Sequence, residues 1–211
     1  MPLSVMALYQ HCISGKGGTR CGVTRHSPSS RSDHDPHGLK GYVASIMPTM
    51  QVQHHSEWEG RRLTVTWLSP PFRPPRAATT QAMGLCFTAD HRVVLVTSDG
   101  ASWTLPGGSL EQGETPVQAL KREVREEACA VVRRSVYLGC QRVDDPGQPQ
   151  GLTRYYQTRF WARVTLRPFE RAFETVARRL VEPEHVLEEL AWGHVPVARV
   201  LLELALAADG S

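Results

Sequence analysis

Cysteine is scarce in this chain and follows no pairing pattern. Cys12, Cys21, Cys86, Cys129 and Cys140 are an odd set without shared spacing. That argues against a disulfide framework and for a reducing compartment, the cytoplasm. No apolar run reaches the length of a membrane span; the greasiest stretch, VPVARVLLELALAA, is broken by Arg199 and Glu203. No basic region precedes the short apolar run of MPLSVMALYQHC, which makes it a poor secretory signal. A dominant charge is missing too. A net charge of +3 is too small to argue for nucleic acid or an acidic membrane surface. Internal repeats are absent. Hydrophobic residues make up 41% of the chain, enough for a buried core.

Acids are also missing locally. None precedes Asp33, whereas Lys16, Arg20, Arg25 and Arg31 do. Residues 1–75 are rich in Gly, Ser, Pro and His and show little hydrophobic period. Three readings remain open there: a disordered extension or a start at Met47 or Met50, a small folded element, and a basic transit segment. His11, Cys12, Cys21 and His26 lack a familiar zinc spacing, and GKGGT at 15–19 lacks the ending of a phosphate loop. One piece is ordered by pattern: RLTVTWL at 62–68 alternates Leu63, Val65 and Trp67 on one face, as a strand does.

The main domain is expected over residues 76–208. QAMGLCFT (81–88) and RVVLVTS (92–98) read as strands joined by a short turn, and SVYLGCQRV (135–143) and TRYYQTRFWARVTL (153–166) as two more. Between the last two, DDPGQPQG is a turn-rich loop, with Asp144 and Asp145 serving the turn at Pro146. RLVEPEHVLEEL predicts a short strand and a helix with Pro183 near its first turn, and VPVARVLLELALAA a closing apolar helix. Hairpins mixed with helices indicate an α/β or α+β sandwich around a mixed sheet. Tyr155, Tyr156, Phe160 and Trp161 read as core and face residues of the long strand.

What the chain does have is acid in one place. Thr115, Pro116 and Gln118 form the start of a helix, with a Thr-x-x-Gln capping box and proline at the first helical position. Val117, Leu120, Val124 and Ala128 make its apolar stripe. Glu123, Glu126 and Glu127 share a face that borders the stripe, while Lys121 and Arg125 point outward. Like charges at this spacing repel by about 0.2–0.5 kcal/mol per pair even at a surface. Two readings meet here: a solvated helix face neutralised by Arg122 and Arg125, or a site for a hard cation such as Mg²⁺ or Mn²⁺. The preceding turn, Leu105-Pro106-Gly107-Gly108, favours the second, because glycine lets backbone oxygens approach a ligand.

The register of Gly108, Glu114, Arg122, Glu123, Val124, Glu126, Glu127 and Ala130 resembles the Nudix box. A chance match at the six polar and glycine positions is on the order of 10⁻⁵ for a chain of this length. The resemblance spans about residues 77–208 and departs from the pattern at Cys129, where the family has glycine. Cysteine there costs roughly 1–2 kcal/mol if a left-handed conformation is kept.

The resemblance implies a mixed β-sheet sandwiched between helices. It implies Mg²⁺-dependent hydrolysis of a diphosphate bond in a nucleoside diphosphate linked to another group, with Mn²⁺ as substitute. Glu126 and Glu127 would hold the metal with the Gly107 carbonyl, and Glu123 would be a ligand or the base. Arg122 would hold glutamates, Glu114 among them. A further acid would come from a later loop, with Glu174 favoured over Glu170, Glu182 and Glu184. The partner is a small nucleotide, with neither nucleic acid nor membrane, and monomer and homodimer both stay open. The alternatives are a nucleotide-sensing regulatory module without turnover, which would be expected to lose box glutamates, and an isoprenoid diphosphate isomerase, for which Cys86 would have to be catalytic.

Overall fold

The computed structural model describes residues 52–58, 60–148, 151–171 and 173–210. Met47, Met50 and the His/Cys and glycine motifs before them lie outside the described residues. The strands are β1 (Gln53–Trp58), β2 (Arg61–Leu68), β3 (Thr79–Phe87), β4 (Val93–Thr97), β5 (Gly107–Ser109), β6 (Ala130–Asp144), β7 (Arg154–Leu166) and β8 (Ala177–Val181). The α-helices are α1 (Pro116–Ala128), α2 (Val186–Glu189) and α3 (Pro196–Asp209). The sheet runs β1-β2-β6-β7-β3-β4-β8, with β5 paired to β3. β3 and β7 are parallel and the other pairs antiparallel, which makes the sheet mixed.

Each face of the sheet is sealed by a helix. α1 sets Leu120, Val124 and Ala128 against Ala82, Cys86, Val94, Phe160 and Ala162. α3 sets Val197, Leu201 and Ala205 against Met83, Leu85, Phe87 and Trp161 on the other face. Phe160 and Trp161 therefore serve opposite cores, as the two-residue period of a strand requires. Cys86 is fully buried in the α1-side core.

The structure differs from the sequence reading in four places. The boundary at residue 76 does not coincide with the edge of the sheet: β1 and β2 precede it, and β2 pairs with β6 from Thr64↔Asp144 to Leu68↔Cys140. Strand β6 begins at Ala130 and not at Ser135, because Ala130 to Val132 already pair with Leu166 to Val164. On α1, Val117 is 36% exposed while Ala119 is buried, so the buried stripe is Ala119, Leu120, Val124 and Ala128. Asp144 and Asp145 do more than shape a turn. Asp145 is buried in an ion pair with Arg61, and Asp144 accepts from Arg142 Nε at 2.9 Å.

Candidate active site

The site is assembled where β5 passes the middle of α1. Thr115 caps the helix in both directions: its Oγ1 accepts from the Gln118 N–H at 3.3 Å, and its own N–H donates to Gln118 Oε1 at 2.8 Å. This fixes the rotation of α1 and hence where its acids point. On the facing strand, Gly107 is required by space and Gly108 gives room to the Glu123 carboxylate. A Cβ on Gly107, which has φ 148°, would lie 2.4 Å from the Ala82 carbonyl oxygen; one on Gly108 would lie 2.3 Å from Glu123 Oε1. A side chain at Gly107 would separate β5 from β3, and one at Gly108 would displace the Glu123 carboxylate.

Glu127 is the buried member of the acidic face, 6% exposed, and accepts the Gly107 N–H at 2.8 Å. Burial pushes its carboxyl up to about 8 against that hydrogen bond, with Glu123, Glu174 and Glu126 adding repulsion. Glu123 is also raised, mainly by burial and in part by Glu126 and Glu114, while Arg122 opposes the shift. Burial would raise Glu114 as well, but the Arg122 hydrogen bonds and the Glu111 N–H carry it below its ordinary value.

Arg122 is the organiser. Its Nε and Nη2 bond Glu114 at 3.1 and 3.0 Å, Nη2 reaches the Ser109 carbonyl at 2.8 Å, and Nη1 reaches Glu123 at 2.9 Å and Glu126 at 3.3 Å. Its guanidinium is held above its usual range, first by Glu114. The planar fork thus ties the loop before α1 to two of its acids. One cation serves four glutamates, Glu111 at 3.7 Å being the farthest, and Glu127 is left to a peptide N–H.

Among the described residues, no three His, Cys, Asp or Glu side chains already stand as a closed ligand set. The donor chemistry nevertheless fits a hard divalent cation: every candidate ligand is an oxygen, and Glu127 and Glu123 are raised by burial first and then by neighbouring carboxylates.

Of the residues singled out in the sequence, Gly107, Glu123, Glu126 and Glu127 are brought together and Arg122 binds among them; Glu174, exposed in the turn before β8, makes no bond to them and adds only repulsion felt by Glu127. Glu170, Glu182 and Glu184 are exposed too, and they do not figure among the groups that act on Glu127. The Gly107 N–H bond to Glu127 and the Ser109 carbonyl bond to Arg122 had no signal in the sequence, since both are backbone contacts across a turn.

The geometry and the box are those of one family. The NUDIX domain model matches residues 78–202, and the chain belongs to that family, the Nudix hydrolases. The human protein 8-oxo-dGDP phosphatase NUDT18 is 32% identical over 102 residues. That match covers 43% of this chain and 28% of the human protein's length, so the chain spans well under two thirds of that relative. The Bacillus subtilis pyrophosphohydrolase BsRppH shares the fold, with TM-score 0.55 and 20% identity over 73% of this chain and 95% of that one. No helix among the described residues is long and apolar enough to cross a membrane.

Proposed function

We propose that this chain is a metal-dependent diphosphohydrolase that cleaves a diphosphate bond in a nucleoside diphosphate linked to another moiety. The observation that carries the reading is the buried Glu127, raised to about 8 by burial and by three neighbouring carboxylates. Groups perturbed together by burial and by like charge, beside a glycine turn that backs onto them, mark a candidate functional site. Glu126, Glu127 and the Gly107 carbonyl would hold Mg²⁺ or Mn²⁺, with Glu123 as a further ligand or as the base. A bound divalent ion would neutralise charge on the phosphate oxygens and lower the pKa of the attacking water.

The protein's own groups then have defined tasks. A Glu123 carboxylate oxygen accepts the proton of the water that attacks phosphorus. The bridging oxygen leaves with the electrons of the broken P–O bond. Arg122 keeps Glu123 ionised and oriented through the 2.9 Å bond without touching substrate. Glu174 supplies negative charge from the loop before β8. The unpaired thiols of Cys86, Cys129 and Cys140 suit the cytoplasm, where we place the protein.

The test is a panel of 8-oxo-dGDP, ADP-ribose, dinucleotide and nucleoside triphosphate substrates with Mg²⁺, followed by ³¹P NMR. Cleavage of at least one, lost in Glu127→Gln, is the expected result. Tight nucleotide binding with no product in any reaction would replace this reading with a sensor module.

A further inference from the structure

The sheet ends in β1 on one side and β8 on the other, and the two edges are finished differently. β8, ARRLV, is finished with charge: Arg179 is exposed, and Arg178 is drawn to the carbonyls of Ala128, Cys129 and Arg167. β1, QHHSEW, has no lysine, arginine or proline. It pairs with β2 in unbroken register from Gln53↔Thr66 to Trp58↔Arg61, so no bulge turns it away from a partner. Among the described residues, no strand pairs with its far side.

The register shows which groups the far side presents. The Trp67 N–H donates to the Val52 carbonyl at 2.8 Å. In an antiparallel ladder a residue bonds its neighbour with both its N–H and its C=O, and such residues alternate along the strand. Val52, His54, Ser56 and Trp58 therefore face β2, while Gln53, His55 and Glu57 turn their backbone groups outward. The side chains of His55 and Glu57 are exposed, and those of His54, Ser56 and Trp58 are half-buried on the opposite face. His55 Nδ1 lies 3.2 Å from Thr64 Oγ1, which leaves its Nε2 for another partner.

We infer that β1 is the docking edge for a second copy of this chain, paired antiparallel about Ser56. Such a pairing is isologous, so each contact occurs twice. It sets His55 of each copy opposite Glu57 of the other, a base facing an acid, and the outward N–H and C=O groups of these two residues close the ladder between the copies. On the other face Trp58 meets His54 across the axis. Trp58 packs against Leu63, Val65, Val143 and Tyr155, a core separate from the two under the helices. Ser56 stands opposite Leu63 in β2, so the two copies of this small core would flank the axis. A strand pairing of this length buries less than a standard interface of about 1,200–2,000 Å², so monomer and dimer exchange as concentration changes.

The test is sedimentation velocity on the full chain over a concentration series, without metal or nucleotide. The wild type passes from monomer to dimer as concentration rises. His55→Glu places acid opposite Glu57, and the double variant His55→Lys, Glu57→Lys places lysine opposite lysine; each weakens the dimer by about 10-fold. An equal mixture of the two variants restores it, because every cross-strand pair then joins unlike charges. Both changes are made on exposed side chains, and circular dichroism checks that each variant folds. Amide exchange of the wild type gives a reading that needs no variant: the N–H groups of His55 and Glu57 exchange slowly in the dimer and quicken on dilution. A wild type that stays monomeric throughout overturns the inference, and slow exchange at those amides in that monomer would assign the edge to the chain's own remaining residues. A dimer that both variants form as tightly as the wild type, or a mixture no tighter than either variant alone, places the interface elsewhere and overturns it too.

Discussion

The two faces of the sheet treat buried charge in opposite ways. On the α3 side, Arg159 is fully buried where β3, β6 and β7 run together, and it is received by glutamine oxygens from each of those strands. Its Nη1 donates to Gln81 at 3.2 Å and Nη2 to Gln157 at 2.9 Å, with Gln141 also accepting from Nη2. The Thr158 carbonyl takes a further bond at 3.1 Å. Side-chain amides there solvate a cation inside the protein. On the α1 side, Glu127 is buried among charges of its own sign. The first arrangement lowers the cost of a buried charge. The second raises it, the kind of local conflict that proteins keep at functional sites.

The sharpest way to break this contrast is to neutralise the α1 side. Glu127→Gln and Glu126→Gln are expected to lower turnover by several orders of magnitude with the fold intact. Without metal, Glu127→Gln should also melt higher than wild type, because a neutral amide is spared the cost of burial that lifts the Glu127 carboxyl to about 8. Product formation in saturating Mg²⁺ and circular dichroism measure both. Retention of most of the activity by both variants would remove the metal assignment.

The next largest effect is that of the cation itself. An ion that binds only the folded state stabilises it by about 2.7 kcal/mol at a hundredfold excess over Kd. In a protein of this size that raises Tm by about 5–10 °C. Mg²⁺ and Mn²⁺ should both do so, since the donors are oxygens, and sodium chloride of equal ionic strength should not. Glu123→Gln should shrink the rise less than Glu127→Gln if Glu123 is mainly the base. A melt that responds as much to sodium returns the acidic face to a solvated helix surface.

Much of the α1 side was legible in the sequence, because its signals are local. Thr115, Pro116 and Gln118 lie within one turn, and the spacing of Glu123, Glu126 and Glu127 alone puts them on one face. The α3 side was not legible. Arg159 meets Gln81 across 78 positions and Gln141 across 18, and no period joins them. Strand β1, QHHSEW, has no alternation of apolar residues and is held as an edge by pairing with β2. Arg178 was invisible for the same reason as Arg159: its partners lie at 128, 129 and 167.

A third comparison is made by emptying the α3 side of its cation. Arg159→Met fills a similar volume but leaves glutamine oxygens without their donor, at a cost of about 1–3 kcal/mol. Urea denaturation with an unchanged m-value measures it. Unchanged stability would mean that the glutamines repair their own hydrogen bonds. The contrast between the faces would then be one of sign only.

The smallest effect expected concerns His54, which shares the α3 side of the sheet but is handled differently from Arg159. In β1 it pairs with Val65, and its Nδ1 is buried without a hydrogen-bond partner. Burial, with His55 and His194 nearby, lowers its pKa from 6.5 to about 4. Among the described residues no acceptor stands at Nδ1, and burial keeps the ring neutral in the folded state. The unfolded chain binds a proton near pH 6.5 and the folded one only near pH 4, so between these values unfolding takes up a proton. Stability from this group is therefore complete above about pH 6.5 and declines as the pH falls toward 4. His54→Gln should flatten that part of the pH–stability profile, leaving the lower limb to the carboxylates. The measurement is Tm from pH 4 to 8 for both proteins without divalent metal. Parallel profiles across that window would show that His54 does not contribute, and that the α3 side keeps no titrating base at its edge strand.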